Sequence, residues 1–192
     1  MDETGEGGTT VRKNVIKTTV AVLAGLLMLL GLSGTAEAKR QLLTLTMEEL
    51  PLQPVDNLTA PGGVRFDFKI NGVDSNDATY GGSGPGRTTF VQDPSLEGSS
   101  EGVLTVSFSQ PTNVVRFGVA VLFGGPVTVQ IYNPGGRLRE TIRLQTQVLT
   151  SFPEARFAYQ GGAVGKIAVS FDAPGGGRFA LDNLTFRAPA KT

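Results

Sequence analysis

The segment Arg178-Phe-Ala-Leu-Asp-Asn-Leu-Thr-Phe186 alternates and then breaks step. A strand turns successive side chains to opposite faces with a period of two. Phe179 and Leu181 share one parity, whereas Leu184 and Phe186 share the other. One apolar face can serve both pairs only if the strand gains a residue between them, so the segment predicts a β-bulge at Asp182-Asn183. A bulge re-aims side chains, and here it re-aims a carboxylate and an amide.

Outward from this segment the same alternation recurs. Leu43, Leu45 and Met47 alternate with Thr44 and Thr46 in a strand that closes at Glu48-Glu49-Leu50-Pro51. Val64, Phe66 and Phe68 alternate with Arg65, Asp67 and Lys69, and Asn71-Gly72 after them suits a tight turn. Val103 to Phe108 reads as a strand stopped by Gln110-Pro111, and Val114 to Phe123 as one buried on both faces. Val127 to Ile131, Leu138 to Leu149, Phe152 to Tyr159 and Ile167 to Phe171 follow, with the turn residues Asn133 to Gly136 and Asp172 to Gly177 between them. The 26 Gly and 11 Pro fall as punctuation, and no stretch after residue 38 sustains a helical period. About nine strands with turn signals roughly every 8–12 residues predict an all-β fold. The expected form is a two-sheet antiparallel sandwich, jelly-roll-like, with first and last strands side by side.

Residues 71–100 depart from this rhythm. Asp74 to Asp77 and Gly81 to Gly86 hold almost no apolar side chains, and Asp93 to Gly98 ends the stretch. It reads as a long functional or mobile loop with a short strand at Thr88 to Gln92.

Composition removes most chemistry. There are 17 basic and 17 acidic residues with no basic run, which gives no footprint for nucleic acid. The chain has no His and no Cys, so it builds neither a Ser-His-Asp triad, nor a thiol nucleophile, nor an ordinary zinc site. Carboxylates, hydroxyls, Lys, Arg and three Tyr remain. They suit hard-cation binding or carboxylate acid/base work.

The first 38 residues read as a secretory signal peptide. Arg12, Lys13 and Lys17 precede the apolar run Val20 to Leu32, and Ala36-Glu37-Ala38 supplies the cleavage pattern. The run is shorter than the roughly 20 residues a spanning helix needs. Residues 39–192 are then one secreted domain, extracellular or periplasmic, without disulfides and without a membrane span.

Three segments together, Leu45 to Pro51, Glu101 to Pro111 and Arg178 to Phe186, resemble bacterial exported β-sandwich proteins of the PEP-CTERM-associated, exosortase-sorted kind. The resemblance covers most of residues 42–187 and implies a surface or matrix role. Arg187 to Thr192 contains no Val-Pro-Glu-Pro motif and no apolar helix, so the expected version lacks the sorting tail. A similarity to carbohydrate-binding jelly rolls implies a structural calcium where first and last strands meet. Glu48 and Asp182 would share the ion, and Asn183 or a nearby backbone carbonyl would complete it. On the residues alone, Asp182-Asn183 equally satisfies backbone groups at the bulge and Glu48 is a solvated strand end.

A second candidate is the loop cluster Asp74, Asp77 and Asp93 with Glu97, where Tyr80 supplies an aromatic ring. It reads as a rim for a sugar or a cation, or as charge that keeps a Gly-rich loop solvated. With no Trp, and with the 11 Phe mostly at inward positions, Tyr80 is the one aromatic platform in an evident loop. The expected function is a noncatalytic binder of a surface glycan or another cell-envelope component. One alternative is a glycosidase or lyase that uses Glu48 and Asp182 as its carboxylate pair. Another is matrix assembly through edge strands, against which Arg137, Arg139 and Arg143 stand.

Overall fold

The computed structural model describes residues 40–173 and 176–189, so the signal-peptide reading of residues 1–38 lies outside the described residues. Short strands come first: β1 (Arg40–Leu45), β2 (Gln53–Pro54), β3 (Thr59–Ala60), β4 (Val64–Ile70), β5 (Val73–Asp74), β6 (Thr79–Gly82) and β7 (Ser95–Ser99). Then come β8 (Gly102–Val121), β9 (Pro126–Tyr132), β10 (Leu138–Gln145), β11 (Gln147–Val148), β12 (Pro153–Phe171) and β13 (Arg178–Pro189). All are joined antiparallel in one 13-stranded hydrogen-bonded network. The only helical element among the described residues is a single 3-10 turn at Pro61–Gly63.

Two long strands fold this network into a sandwich. The first part of β8 pairs with β4, from Gly102 to Phe108, and its second part pairs with β13, from Val115 to Val121. Its other edge runs along β12 throughout, but the register breaks between Gln160 and Val164 and again before Lys166. Pro111 brings no N–H to a ladder, and Gly161, Gly162 and Gly165 fall in the break on the opposite strand, so both strands can bend there. One layer therefore holds β4, β9 and β10 with the first part of β8 and the last part of β12. The other, layer two, holds β6, β7 and β13 with the remaining parts.

The two layers meet in a continuous apolar core. Phe66 of β4 packs on Tyr80 of β6 at 6.0 Å between ring centroids, and Phe171 of β12 stacks on Phe179 of β13 at 4.1 Å. Phe108 of β8 meets Phe186 of β13 at 5.5 Å. Each pair crosses from one layer to the other, which fixes the sheets face to face.

The all-β sandwich expected from alternation is the observed fold, and the strand count is higher. Gln110-Pro111 bends a strand and does not end one, so the two predicted strands on either side are a single β8. The predicted strands Phe152 to Tyr159 and Ile167 to Phe171 are likewise one β12. Residues 71–100 contain β5, β6 and β7 and are not one loop, and Thr88 to Gln92 is not a strand. First and last strands do lie side by side, from Arg40 opposite Pro189 to Leu45 opposite Leu184. β1 stops earlier than its alternation suggests, because Met47 turns to a positive φ of 62° while its side chain stays in the core. The bulge is where the parity break put it. The register shifts between Asp182 and Thr185, with Asn183 at φ 57°, a left-handed conformation that Asn tolerates better than most residues.

Candidate binding face

Layer two has an outer face, and a strap lies across it. On β8, Phe117, Val119 and Val121 point into the core, so Arg116, Gly118 and Ala120 point outward. Residues 83–94, between β6 and β7, cross over Gly118 and Ala120. Val91 is buried against Ala120 and Ala180 in a core of its own. The backbone of Phe90 passes so close to Gly118 that a Cβ there would overlap the Phe90 carbonyl oxygen. The near-continuous apolar reading of Val114 to Phe123 thus has a cause on each side: the main core on one, the strap on the other.

Two carboxylates hold the strap. Glu154 of β12 is only 1% exposed and accepts from the Thr88 hydroxyl at 2.8 Å, the Thr89 amide at 3.0 Å and the Phe90 amide at 2.7 Å. Burial works to raise this carboxyl, yet the three donors outweigh it and hold Glu154 below the usual carboxylate range. Asp182 of β13 is 3% exposed and accepts from the Gln92 amide at 3.0 Å. It also accepts from the Asn183 amide at 2.6 Å and the Asn183 Nδ2 at 2.7 Å. Burial pushes Asp182 up to about 6, with the charges of Glu49 and Glu48 adding to the rise and the two amides opposing it.

The strap divides the face into two grooves. On one side, Pro85 of the strap faces Leu122 and Phe152 over a floor of Ala120 and Ala180, and Glu97 and Arg178 close the end. This groove is apolar and encloses about 170 Å³. On the other side, Thr89 and Phe90 of the strap face Arg116 and Arg156, with Asn183 and Thr185 beside them, around about 250 Å³. Ala158 lies opposite Arg116 and Arg156 opposite Gly118, so the two arginines are diagonal neighbours on adjacent strands.

The residues singled out from sequence fall in three places. Asp182 and Asn183 are at the closing seam, and Asp182 is turned to N–H donors that a cation would have to displace. Glu48 is exposed and acts on Asp182 through its charge. Its neighbour Glu49 takes the direct contact, accepting from the Tyr80 hydroxyl at 2.6 Å and the Thr46 amide at 2.7 Å. Tyr80 is 0% exposed and packs in the core from β6, not from a loop, so it offers no platform to a ligand. Its hydroxyl is raised by burial and by the Glu49 carboxylate.

Asp77, Asp93 and Glu97 do come into one field beside Arg178, at the end of the apolar groove. Asp77 lies 3.4 Å from Arg178 and accepts from the Ser99 amide at 2.5 Å. Burial raises the Glu97 carboxyl, Arg178 opposes it, and Asp93 and Asp77 add to it. Asp74 is apart from them, paired with Lys69 on β4, where Asp56 and Asp67 bring their oxygens to within 4.8 Å of its own. The expected rim of Asp74, Asp77, Asp93 and Tyr80 is therefore not one site.

Sequence reasoning missed Glu154, Arg116 and Arg156. Arg116 did carry a signal, as the one charge inside Val114 to Phe123. Arg156 and Glu154 alternate outward around Ala155 and Phe157, which is ordinary for a half-solvated strand.

No family model matches the chain. No curated protein matches it either. Among solved structures, the chain is similar to a mutant of a family 29 carbohydrate binding module, 14% identical over 78% of this chain and 92% of that chain, with a TM-score of 0.42. It is also similar to the cleaved adhesin domain of Lys-gingipain from Porphyromonas gingivalis, 10% identical over 78% of this chain and 99% of that chain, with a TM-score of 0.47. Likenesses this distant say nothing of what this chain binds.

Proposed function

We propose that this chain is an exported, noncatalytic β-sandwich that binds glycan chains on the outer face of layer two. One observation carries the reading: an apolar groove walled by Phe152, Leu122 and Pro85 adjoins a groove lined by guanidinium, amide and hydroxyl groups, on one rigid sheet. A sugar ring has the same division, with C–H faces that pack on apolar and aromatic side chains and an equatorial rim of hydroxyls that hydrogen-bond. The strap supplies one wall to each groove, and its anchoring to Glu154 and Asp182 pre-organises both. Export is supported by the basic, apolar and Ala-x-Ala pattern of residues 12–38.

Binding is favoured over hydrolysis by the burial of Asp182. A carboxylate pair of Glu48 and Asp182 would need both groups open to the substrate, and Asp182 is 3% exposed beneath the strap. Affinity electrophoresis through a panel of soluble polysaccharides tests the reading. At least one polysaccharide is expected to retard the protein without releasing reducing ends. Phe152→Ala, a change at a half-buried groove wall, should then weaken retardation about tenfold. Free migration through every gel would refute glycan binding, and release of reducing ends would refute the noncatalytic part.

A further inference from the structure

We propose that the groove between Arg116 and Arg156 selects an oxyanion, so that the ligand is an acidic polysaccharide. The proposal rests on the glycan-binding reading above and names the class of glycan. Its ground is a charge imbalance that composition conceals. The chain carries equal numbers of acidic and basic residues, yet no carboxylate lines this groove. Two carboxylates of the same face, Glu154 and Asp182, are turned into the strap and already accept hydrogen bonds from it.

Among the described residues, neither Arg116 nor Arg156 has an ion-pair or hydrogen-bond partner. Several arginines elsewhere are engaged: Arg143 with Asp172 at 3.0 Å, Arg178 with Asp77 at 3.4 Å, and Arg40 with the Pro111 carbonyl at 2.9 Å. Arg87, Arg137 and Arg139 also have no side-chain partner among the described residues; Arg116 and Arg156 differ from those three in lining one groove together. On β13, Arg187 follows Thr185, which faces Arg116, and the Arg187 Nε is buried with no partner. Three guanidinium groups from three neighbouring strands therefore share one face. An unpaired guanidinium presents a planar fork that matches a carboxylate or a sulfate ester in two-point contact. The Thr89 and Thr185 hydroxyls and the Asn183 amide stand where ring hydroxyls next to that anion would reach, and Phe90 adds an apolar wall. The basic character arises from strands far apart in sequence, so no basic run announces it.

The experiment titrates the full chain with polygalacturonate, with dextran sulfate and with a neutral β-glucan, at roughly 50 mM salt and again at roughly 300 mM. At the lower salt, an acidic polymer is expected to bind about tenfold or more tighter than the neutral one, with the preference falling as salt rises. Preference for polygalacturonate assigns a carboxylate, and preference for dextran sulfate assigns a sulfate ester; either supports the proposal. Arg156→Gln is exposed and should leave the fold intact while erasing most of the preference. Arg116→Gln, checked for folding by its melt, should do the same. Equal binding of neutral and acidic polymers by the parent chain overturns the oxyanion proposal and leaves glycan binding standing. No binding to any polysaccharide removes both. Single-stranded DNA that competes as well as the best polysaccharide also overturns it, by showing a general polyanion surface.

Discussion

Glu154 and Asp182 do the same work at opposite ends of the strap, under opposite electrostatic conditions. Both are nearly sealed from solvent, and both accept backbone N–H groups from residues 88–92. Glu154 receives three donors, and its carboxyl is lowered. Asp182 is raised by its burial first, and the charges of Glu49 and Glu48 add to the rise. The difference shows what decides the charge of a buried acid. Both receive three donors; at Glu154 they outweigh desolvation, whereas at Asp182 desolvation is the largest influence and prevails over them, with the like charges adding to it. The first end of the strap is thus fastened by a stable anion, and the second by a group close to its titration point.

The largest effect that would break this comparison lies at Glu154. Glu154→Ala leaves the Thr89 and Phe90 amides and the Thr88 hydroxyl without their acceptor in a buried place. Hydrogen bonds to a charged group contribute about 1.5–3 kcal/mol each and are not additive, so a loss of about 4 kcal/mol is expected in urea unfolding. Asp182→Ala should cost less, because it also removes the repulsion from Glu48 and Glu49. Equal losses at the two sites would mean that the opposite tuning has no energetic consequence.

Gly118→Ala comes next, and it probes the strap without touching either carboxylate. The added methyl group meets the carbonyl of Phe90, which is backbone and is fixed by its own amide bonded to Glu154. The strap must lift, at about 2 kcal/mol, the usual cost of overpacking a close contact. The Glu154 end should loosen first, seen as faster amide exchange at Thr89 and Phe90 than at Gln92. Uniform exchange along residues 88–92 would show that the strap opens as one piece and that its ends are not distinct.

How far the sequence reaches can be judged from these same residues. The bulge at Asp182-Asn183 was legible, because parity is a local property and four apolar side chains, Phe179, Leu181, Leu184 and Phe186, had to share one core. The strap was not. Residues 83–94 form no regular element, and their one buried apolar side chain, Val91, packs on Ala120 and Ala180, which are equally at home in any strand. The bend at Pro111 was misread as an end, since a proline without an N–H stops a ladder in a flat sheet but is tolerated where a strand passes from one layer to the next. Arg116 and Arg156 become neighbours only through the pairing of β8 with β12, a long-range register that alternation alone does not specify.

The smallest effect is a pH dependence, and it isolates the Asp182 end. The unfolded carboxyl titrates near 3.8 and the folded one near 6, so within that window the folded chain keeps a proton that the unfolded chain has lost. Stability from this group is complete below the unfolded value and declines as pH rises through the folded one. A shift of this size corresponds to at most about 3 kcal/mol, but Glu48 and Glu49 are exposed and their fields are screened, so about 1–2 kcal/mol is expected. Glu154 acts the other way, adding stability above the ordinary carboxylate range that is lost on acidification. The two trends overlap, so the measurement is the difference between the parent chain and Asp182→Asn in urea midpoints from pH 4 to pH 7. The parent should lose stability relative to the variant as pH rises, and a flat difference would show that Asp182 is an ordinary anion like Glu154. A calcium ion shared by Glu48, Asp182 and Asn183 would favour that anion and erase the slope. Repeating the series with calcium and with a chelator therefore reads directly whether the closing seam is held by hydrogen bonds alone.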